Sequence, residues 1–187
     1  MSRTSLLLAR LGALFQQSVR EDAAQHGLLP IHIQVLHYLA QANRYSDLPI
    51  AIAEYFGITR GTVSQTLGVL ERKGLLTKRP DPHHGKRLHL GLTPAAETVL
   101  AGSWTGRVEQ TLGELPIEEA VLQETLRSLL LALQRINDQR AFGICRQCAH
   151  FLNKSEGTEC GLTGEPLATE QTVRLCREWT AQAGRGS

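Results

Sequence analysis

The sequence has no long hydrophobic run. Its early apolar stretch, residues 6–9, is too short for the core of a signal peptide and ends at Arg10. No segment approaches the roughly 18 apolar residues that a membrane-spanning helix needs. These absences argue against secretion and membrane insertion, and we expect a cytoplasmic protein that does not contact a membrane.

Catalytic signatures are also missing from the sequence. We find no pair of nucleophile and base, no glycine-rich loop for phosphates and no fingerprint of a nucleotide cofactor. Internal repeats and low-complexity segments are absent as well. The sequence therefore predicts a protein that is not an enzyme.

The composition is that of a folded chain with one main domain. Hydrophobic residues make up 42% and charged residues 20% of the 187 positions, whereas disordered proteins are less apolar and more charged. This length suits one domain of ordinary size with a small appendage. We place the boundary near Arg140, which gives a first domain over residues 1–140 and a tail over residues 141–187.

Positive charge is concentrated in one segment, although the net charge of the whole chain is only +2. Between Arg60 and Thr93 there are seven basic residues and two acidic ones, and three histidines add charge when protonated. A local excess of this kind indicates a surface for an anionic partner.

Amphipathic helices are predicted on both sides of this basic segment. Apolar residues three or four apart indicate helices over residues 4–26 and 30–41, and again over residues 94–112 and 116–140. The last helix carries a broad apolar stripe formed by Ile117, Val121, Leu126, Leu129, Leu130, Leu133 and Ile136. This stripe packs either on the core of its own chain or, as its width favours, in a dimer interface with the first helix.

A helix-turn-helix is predicted between these helices. Ser46 or Asp47 is expected to cap a short helix over residues 48–56, and Thr59 to cap a second helix over residues 60–73. Two helices separated by a short turn that contains glycine form a helix-turn-helix.

The second helix of this motif has the residues of a DNA recognition helix. Its buried face is predicted to consist of Val63, Leu67 and Leu70. Its opposite, N-terminal side carries the predicted DNA contacts Arg60, Gly61, Thr62, Ser64 and Gln65. Arg60 and Gln65 are the candidate base readers, because Arg pairs bidentately with guanine and Gln with adenine. Thr62 and Ser64 suit phosphate, and the small residues Gly61, Ser64 and Gly68 let the backbone approach DNA closely.

A basic hairpin follows as a wing, with strands predicted over residues 75–79 and 88–92. Its tip carries Lys86 and Arg87 beside a glycine. A narrow tip can enter a minor groove, where A·T-rich narrowing raises the negative potential. We therefore predict Lys86 and Arg87 as further DNA contacts.

The segments ITRGTVSQTLGVLERKGLL, at residues 58–76, and RPDPHHGKRLHLGLTP, at residues 79–94, resemble the MarR family of winged-helix regulators. The matching positions are Leu70, Glu71, Gly74, Asp81, Pro82, Gly85, Leu92, Thr93 and Pro94. Two positions depart from the family pattern: His84 stands where Asp is usual, and Lys86 where the Arg of the wing tip is usual. The missing Asp removes an ion pair that would stiffen the wing.

The resemblance covers about residues 4–140 and implies a mainly α fold with a small β-hairpin wing. It also implies a homodimer that is built from the first and last two helices and binds a pseudo-palindromic operator in double-stranded DNA. Many members of the family are repressors that a phenolic ligand or thiol oxidation releases. Nothing in the sequence identifies a small-molecule inducer.

All four cysteines lie in the tail, as Cys145, Cys148, Cys160 and Cys176. In a reducing compartment, such clustering favours metal binding over disulfides. Four thiolates complete either a tetrahedral zinc site or a [4Fe-4S] cluster, and the number of ligands does not decide between them.

The surroundings of the cysteines favour iron. The segments CRQCAHF, CGL and VRLCREWTAQAG resemble the C-terminal half of high-potential iron-sulfur proteins, although the later cysteine spacings differ and the N-terminal half of that family is absent. The resemblance implies a [4Fe-4S] cluster covered by Phe151, Leu162 and Trp179.

The sequence as a whole predicts a winged helix-turn-helix dimer with a small cysteine-rich metal-binding tail. We expect a transcriptional repressor in which the presence or the oxidation state of the cluster changes the spacing of the two recognition helices. The alternative is a ligand-responsive regulator of MarR type with a structural zinc site, because zinc can fold a tail that is too small to build its own core.

Overall fold

Helices surround a single β-hairpin in the first part of the chain. A computed structural model describes residues 2–82, 85 and 87–182. Its first elements are α1 (Arg3–Gln25), α2 (Pro30–Gln41), α3 (Pro49–Phe56), α4 (Arg60–Arg72), β1 (Leu76–Pro80), β2 (Leu88–Leu92), α5 (Pro94–Ala101), α6 (Trp104–Gly113) and α7 (Glu119–Ile136). Strands β1 and β2 pair antiparallel, with Leu76 opposite Leu92 and Pro80 opposite Leu88. The predicted mainly helical fold with a small hairpin wing is confirmed.

The ends of α3 and α4 follow the capping chemistry that the sequence predicts. Gly57 ends α3 in the left-handed region, at φ +62°, where other residues are strained. Thr59 caps α4 because its Oγ1 accepts a hydrogen bond from the Thr62 backbone N–H at 3.1 Å. The two helices and the turn between them form the predicted helix-turn-helix.

The predicted cap of α3 is wrong. The N-cap is Leu48, which makes no side-chain hydrogen bond, and Pro49 occupies the first turn. Ser46 is fully buried and accepts a hydrogen bond from the Arg177 backbone N–H, while Asp47 faces His89 of the wing. The two side chains that sequence analysis assigned to capping therefore bind distant parts of the chain.

The predicted continuous helix over residues 94–112 is also wrong, because α5 and α6 are separated at Gly102 and Ser103. The buried carboxylate of Asp22, on α1, accepts the Trp104 backbone N–H at 2.6 Å and a hydrogen bond from Arg107 at 3.2 Å. A carboxylate at this position satisfies a free N–H and interacts favourably with the dipole of α6.

The last long helix is shorter than predicted. It begins at Glu119 instead of residue 116 and ends at Ile136 instead of residue 140. The residues after it leave the helix and run toward the core of the first domain.

The core lies between α2, α3, α4 and the hairpin. Its largest fully buried apolar side chains are Ile33, Val35, Leu36, Ile52, Val63 and Leu70. Tyr38 packs at its edge against Tyr55 and Phe142, with ring centroids 4.7 and 6.3 Å away. Because Phe142 follows α7, the start of the tail is buried in the core of the first domain.

The tail consists of two small antiparallel sheets. One pairs β3 (Gly143–Ile144) with β7 (Leu175–Cys176), and the other contains β4 (Phe151–Lys154), β5 (Gly157–Cys160) and β6 (Glu165–Leu167). A 3-10 turn at Cys145–Gln147 and the short helix α8 (Thr169–Thr172) connect them. The Trp179 ring lies against Gly143, where a Cβ would come within 2.6 Å of it, so this packing requires glycine.

The tail packs on the segment that leads from α2 into α3. Ala42 forms a parallel bridge with Leu175, and the Asn43 backbone N–H donates to the Leu175 carbonyl at 2.9 Å. The Arg44 guanidinium donates to Glu165 at 2.8 Å and to the Pro166 carbonyl at 3.0 Å. These contacts place the cysteine-rich tail beside the helix-turn-helix.

Candidate nucleic-acid interface and four-cysteine site

The N-terminal half of α4 presents the predicted DNA contacts on one outward face. Val63, Leu67 and Leu70 are at most 3% exposed, which fixes the orientation of the helix. The residues on the opposite side are exposed: Arg60, Gly61, Thr62, Ser64 and Gln65. The Thr62 hydroxyl is already engaged, because it lies 2.9 Å from Thr59 Oγ1 at the cap of the helix.

Gly68 differs from the other small residues on this helix. It is half-buried, and a Cβ at this position would lie 3.3 Å from the Arg72 guanidinium. Close approach of DNA is therefore supported by the exposure of Gly61 and Ser64 more than by Gly68.

A hydrogen bond from the Asp81 backbone N–H to the Arg87 carbonyl at 3.0 Å extends the hairpin beyond the last strand pair, where the loop of the wing begins. Arg87 is exposed beside it. Lys86, His83 and His84 lie outside the described residues, so the DNA contact of Lys86 stays a prediction.

His89 links the wing to the helix-turn-helix. Its Nδ1 lies 2.6 Å from Asp47, which precedes α3, and its Nε2 lies 3.2 Å from Asp81. Burial lowers the pKa of His89, but the hydrogen bonds and charges of the two carboxylates outweigh it and raise the pKa above 6.5. Sequence analysis counted His89 only as a charge, because no local signal connects it to Asp47.

The four cysteines surround one small cavity in the tail. Cys145, Cys148 and Cys176 are buried, Cys160 is half-buried, and no disulfide joins them. The other lining residues include Tyr45, Phe151, Leu162 and Leu167. The structure thus brings the four predicted metal ligands together, with Phe151 and Leu162 beside them and Trp179 in the same buried cluster.

Two thiols of the cavity, Cys145 and Cys176, sit in surroundings that oppose their ionisation. Burial and the charges of the other three cysteines raise the pKa of Cys145 to about 11. Burial also raises the pKa of Cys176, although the side chain of Asn43 and the backbone N–H of Glu178 oppose the rise.

Backbone donors point at one of the sulfurs. Cys148 Sγ accepts hydrogen bonds from the backbone N–H groups of His150 at 3.5 Å and Thr180 at 3.4 Å. Such donors stabilise a thiolate and alter the reduction potential of a metal centre that the thiolate binds.

Within the described part of the chain, no three His, Cys, Asp or Glu residues are placed so that they could hold a metal ion.

Glu54, on α3, ties the tail to the recognition helix. Both of its carboxylate oxygens accept hydrogen bonds from Arg177, at 2.5 and 2.8 Å, and Arg140 lies 3.8 Å away. The hydrogen bonds from Arg177 and the charges of Arg177, Arg140 and Arg60 lower the pKa of Glu54. Glu54 is therefore held by Arg177, the residue after Cys176, and the charge of Arg60 is the smallest of these influences on its pKa.

Helices α1, α6 and α7 present an apolar surface that their own chain leaves uncovered. No residue of α6 or α7 is buried. The exposed hydrophobic side chains include Leu7, Leu11, Leu14, Phe15, Leu112, Leu126, Leu130, Leu133 and Ile136. The predicted stripe therefore does not pack on the core of its own chain.

None of the described helices combines the length and hydrophobicity that crossing a membrane requires.

The helix-turn-helix with its hairpin defines a winged-helix domain. Residues 26–87, which contain α2 to the wing tip, match the model of the MarR family. This part of the chain is therefore similar to the winged helix of that family.

Solved structures with the same fold extend over most of the first domain. MepR of S. aureus in its DNA-binding conformation is 24% identical over 72% of this chain and 99% of its own, with a TM-score of 0.60. The MepR–DNA complex is 23% identical with the same coverage and a TM-score of 0.53. CouR of Rhodococcus jostii RHA1 bound to p-coumaroyl-CoA is 19% identical over 72% of this chain and 92% of its own, with a TM-score of 0.54.

Proposed function

We propose that the protein is a dimeric transcriptional repressor that binds a pseudo-palindromic operator and whose four-cysteine tail is its sensing element. The observation that carries the DNA-binding part is the single exposed face at the N-terminal half of α4. Arg60, Ser64 and Gln65 lie on this face, opposite a fully buried one. The complex of MepR with DNA supports this assignment, because the two chains share the fold.

The dimer is supported by the uncovered apolar surface of α1, α6 and α7. Leucines along α7, such as Leu126, Leu130 and Leu133, are about half exposed in the single chain. An apolar surface of this extent is unusual on a monomer and typical of a protein interface. A second copy covering it would bring two recognition helices to one duplex, as a symmetric operator requires.

A [4Fe-4S] cluster is the cofactor that we propose for the four-cysteine site. Four thiols line one apolar cavity, with backbone N–H donors at Cys148, and a cluster of this kind takes four sulfur ligands. A tetrahedral zinc site takes the same four ligands and is the alternative. The cluster, when bound, supplies a centre that oxidation can change or destroy.

Coupling between the two sites is supported by the position of Glu54. This residue binds Arg177, the neighbour of Cys176, and its pKa responds to the charge of Arg60. A change in the tail therefore has a direct electrostatic route to the recognition helix, as regulation through a two-state element requires.

A second candidate is a ligand-responsive repressor with a structural zinc site. CouR is bound to p-coumaroyl-CoA in its structure. In the present chain, the buried His37 Nε2 and Trp104 Nε1 atoms have no hydrogen-bond partner among the described residues. A polar ligand at this junction of α2 and α6 would satisfy them. Metal content separates the two candidates, since an iron-sulfur protein is brown and a zinc protein is colourless.

The decisive experiment compares operator binding by two forms of the full chain. Duplexes are first selected from a randomised library, and their affinity is then measured anaerobically for the protein loaded with ferrous iron and sulfide and for the metal-free protein. We expect both forms to prefer the selected duplexes, with affinities that differ about 5- to 150-fold, the usual range of allosteric coupling.

Each part of the proposal can fail separately in this experiment. Equal affinities of the two forms would remove the sensing role of the tail and leave the DNA-binding role intact. A protein that selects no duplex even at low salt, where phosphate contacts are strongest, would overturn the DNA-binding role itself.

A further inference from the structure

Tyr45 belongs to the turn between α2 and α3, yet it forms part of the wall of the four-cysteine cavity. The residue is half-buried and packs against the buried cluster that contains the cysteines. Its hydroxyl donates to the Glu165 carboxylate, on β6, at 2.6 Å and lies 3.1 Å from the hydroxyl of Thr163, which lines the same cavity. The Arg44 guanidinium donates both to the Tyr45 hydroxyl and to Glu165. The winged-helix domain therefore supplies one wall of the proposed metal site.

The same turn holds the wing only two residues after Tyr45. The Asp47 carboxylate lies 2.6 Å from His89 Nδ1, and the Asp47 carbonyl accepts the Leu90 backbone N–H at 2.8 Å. Both contacts are made to β2, the second strand of the wing. The turn thus lies between the cavity on one side and the wing on the other.

Hydrogen bonds inside the turn tie Tyr45 to Asp47. The backbone N–H groups of Ser46 and Asp47 both donate to the Asn43 carbonyl, at 2.9 and 3.0 Å. The Oδ1 atom of Asn43 accepts the Tyr45 backbone N–H at 3.0 Å and the Ser46 hydroxyl at 2.9 Å. Asn43 is only 1% exposed, so water does not compete for these bonds. A displacement of Tyr45 is therefore passed on to Asp47.

We propose that Tyr45 is a positioning residue that couples the four-cysteine site to the wing through the turn at residues 43–47. The inference rests on the proposed metal site and deepens it, because it names a route to the wing in addition to the contacts of Glu54. A group bound in the cavity packs against Tyr45 and fixes the turn, and with it the two acceptors that hold β2. Without that group the wall loses these contacts, and the wing is held less firmly.

Amide hydrogen exchange measures how firmly the turn holds the wing. The Leu90 backbone N–H reports on its bond to Asp47, and the Thr93 backbone N–H, which donates to the Leu75 carbonyl at 3.2 Å just after β2, is the internal reference. The ratio of the two exchange rates removes any general change in stability. The metal-free full chain is compared with the chain loaded anaerobically with ferrous iron and sulfide or, where these are not taken up, with zinc. We expect loading to slow exchange at Leu90 about 5- to 10-fold relative to Thr93, at the low end of the usual range of coupling.

Two variants of Tyr45 test its part in this response. Tyr45→Ala removes both the wall and the hydroxyl, so exchange at Leu90 should no longer respond to loading. Tyr45→Phe keeps the ring and removes only the hydrogen bonds of the hydroxyl, so it should retain a smaller response. Tyr55→Phe is the matched control on α3 and should respond as wild type does, because the Tyr55 ring packs on Tyr38 and Phe142 instead of on the cavity.

Reciprocity gives a second readout that needs no substitution near the cysteines. If loading stabilises the contact with the wing, then breaking that contact must weaken the retention of metal. His89→Ala removes the imidazole that faces Asp47, and we expect it to lose metal to a chelator about 5- to 10-fold more readily than wild type. His26→Ala, at an exposed position after α1, should match wild type.

The outcomes distinguish the inference from the proposed function, and none of these measurements uses DNA. A wild-type protein that takes up neither iron with sulfide nor zinc overturns both the metal site and the coupling. A wild type that binds metal while exchange at Leu90 stays the same overturns the coupling alone, as does an H89A variant that holds metal as firmly as wild type. A Y45A variant that keeps the full response removes Tyr45 from the route.

Discussion

Arg60 is the residue at which the DNA-binding surface meets the rest of the molecule. It begins α4, directly after the Thr59 cap, and its side chain is exposed. Its charge also contributes to the lowered pKa of Glu54 on the preceding helix. An arginine at the start of a recognition helix can reach a guanine in the major groove.

Replacement of Arg60 by alanine should therefore reduce specific binding selectively. We expect Arg60→Ala to cost about 1–3 kcal/mol on the selected operator and to relax the preference at one base pair. Arg87→Ala, in the exposed wing, is the comparison, because loss of a phosphate contact weakens binding to all duplexes about equally. Competition binding with operator and random duplexes measures both effects. Equal losses on the two kinds of duplex would exclude Arg60 from base reading.

The wing is the element whose position depends most on a titratable group. The His89 side chain, on β2, lies between Asp47, before α3, and Asp81, at the end of β1. The Leu90 backbone N–H also donates to the Asp47 carbonyl at 2.8 Å. These two contacts join the hairpin to the segment before α3, in addition to the packing of Leu76 and Leu90 in the core.

The contribution of His89 to the free energy of unfolding should fall as pH rises. The folded protein holds the pKa of His89 above 6.5, so its charged form is favoured by folding. The stability that the charged imidazole contributes is fully present below pH 6.5. It is lost as the pH rises through the raised pKa that His89 has in the folded protein. Over this pH interval we expect the free energy of unfolding of wild type to fall by about 1 kcal/mol relative to that of His89→Gln. This is the usual size of a partly exposed hydrogen bond to a charged group.

Urea unfolding at several pH values above 6 measures this difference. His26→Gln, at an exposed position after α1, serves as the control and should follow wild type. If the free energy of unfolding changed equally with pH in wild type and in H89Q over the whole interval, the imidazole would not anchor the wing.

At the scale of the whole molecule, the proposed function depends on covering the apolar surface of α1, α6 and α7. Leu133 lies in the C-terminal half of the stripe on α7 and is 48% exposed in the single chain. Burial of a leucine contributes about 1.5–3 kcal/mol, and a symmetric interface buries it twice.

A charge at this position should separate the subunits. We expect Leu133→Glu to raise the dimer dissociation constant roughly 100-fold or more and to abolish operator binding at concentrations where wild type binds. Sedimentation velocity measures the association. Leu152→Glu is the matched control, because Leu152 is 39% exposed on β4 of the tail, away from these helices. A monomeric wild type, or an L133E variant that still dimerises, would refute the proposed interface.

The cysteine-rich tail is part of the same molecule and not a separate appendage. Phe142 packs in the core of the first domain, and Arg177 binds Glu54 with both carboxylate oxygens. These contacts connect the four-cysteine cavity to the helix-turn-helix over a short distance. The proposed sensing role therefore needs no contact between subunits to connect the tail with α3.

Local chemistry allowed much of the fold to be predicted. The cap at Thr59 and the left-handed Gly57 bound the helices of the helix-turn-helix, and each acts within a few residues. The burial of Val63, Leu67 and Leu70 follows from helical spacing alone, so the exposed face of α4 could be assigned as well. The clustering of the four cysteines along the chain allowed them to be named as candidate metal ligands, and all four line one cavity.

The sequence by itself determined the helix-turn-helix, the hairpin that follows it and the residue types that are proposed to face DNA and a metal. Only the tertiary structure decided that Asp22 interrupts the helix after the wing, that His89 joins the wing to Asp47, and that Asn43 and Ser46 hold the tail. Each of these contacts joins residues far apart in the chain, and a buried polar group finds its partner by proximity in the folded protein. Periodicity and capping rules describe neighbours along the chain, so they carry no information about such pairs.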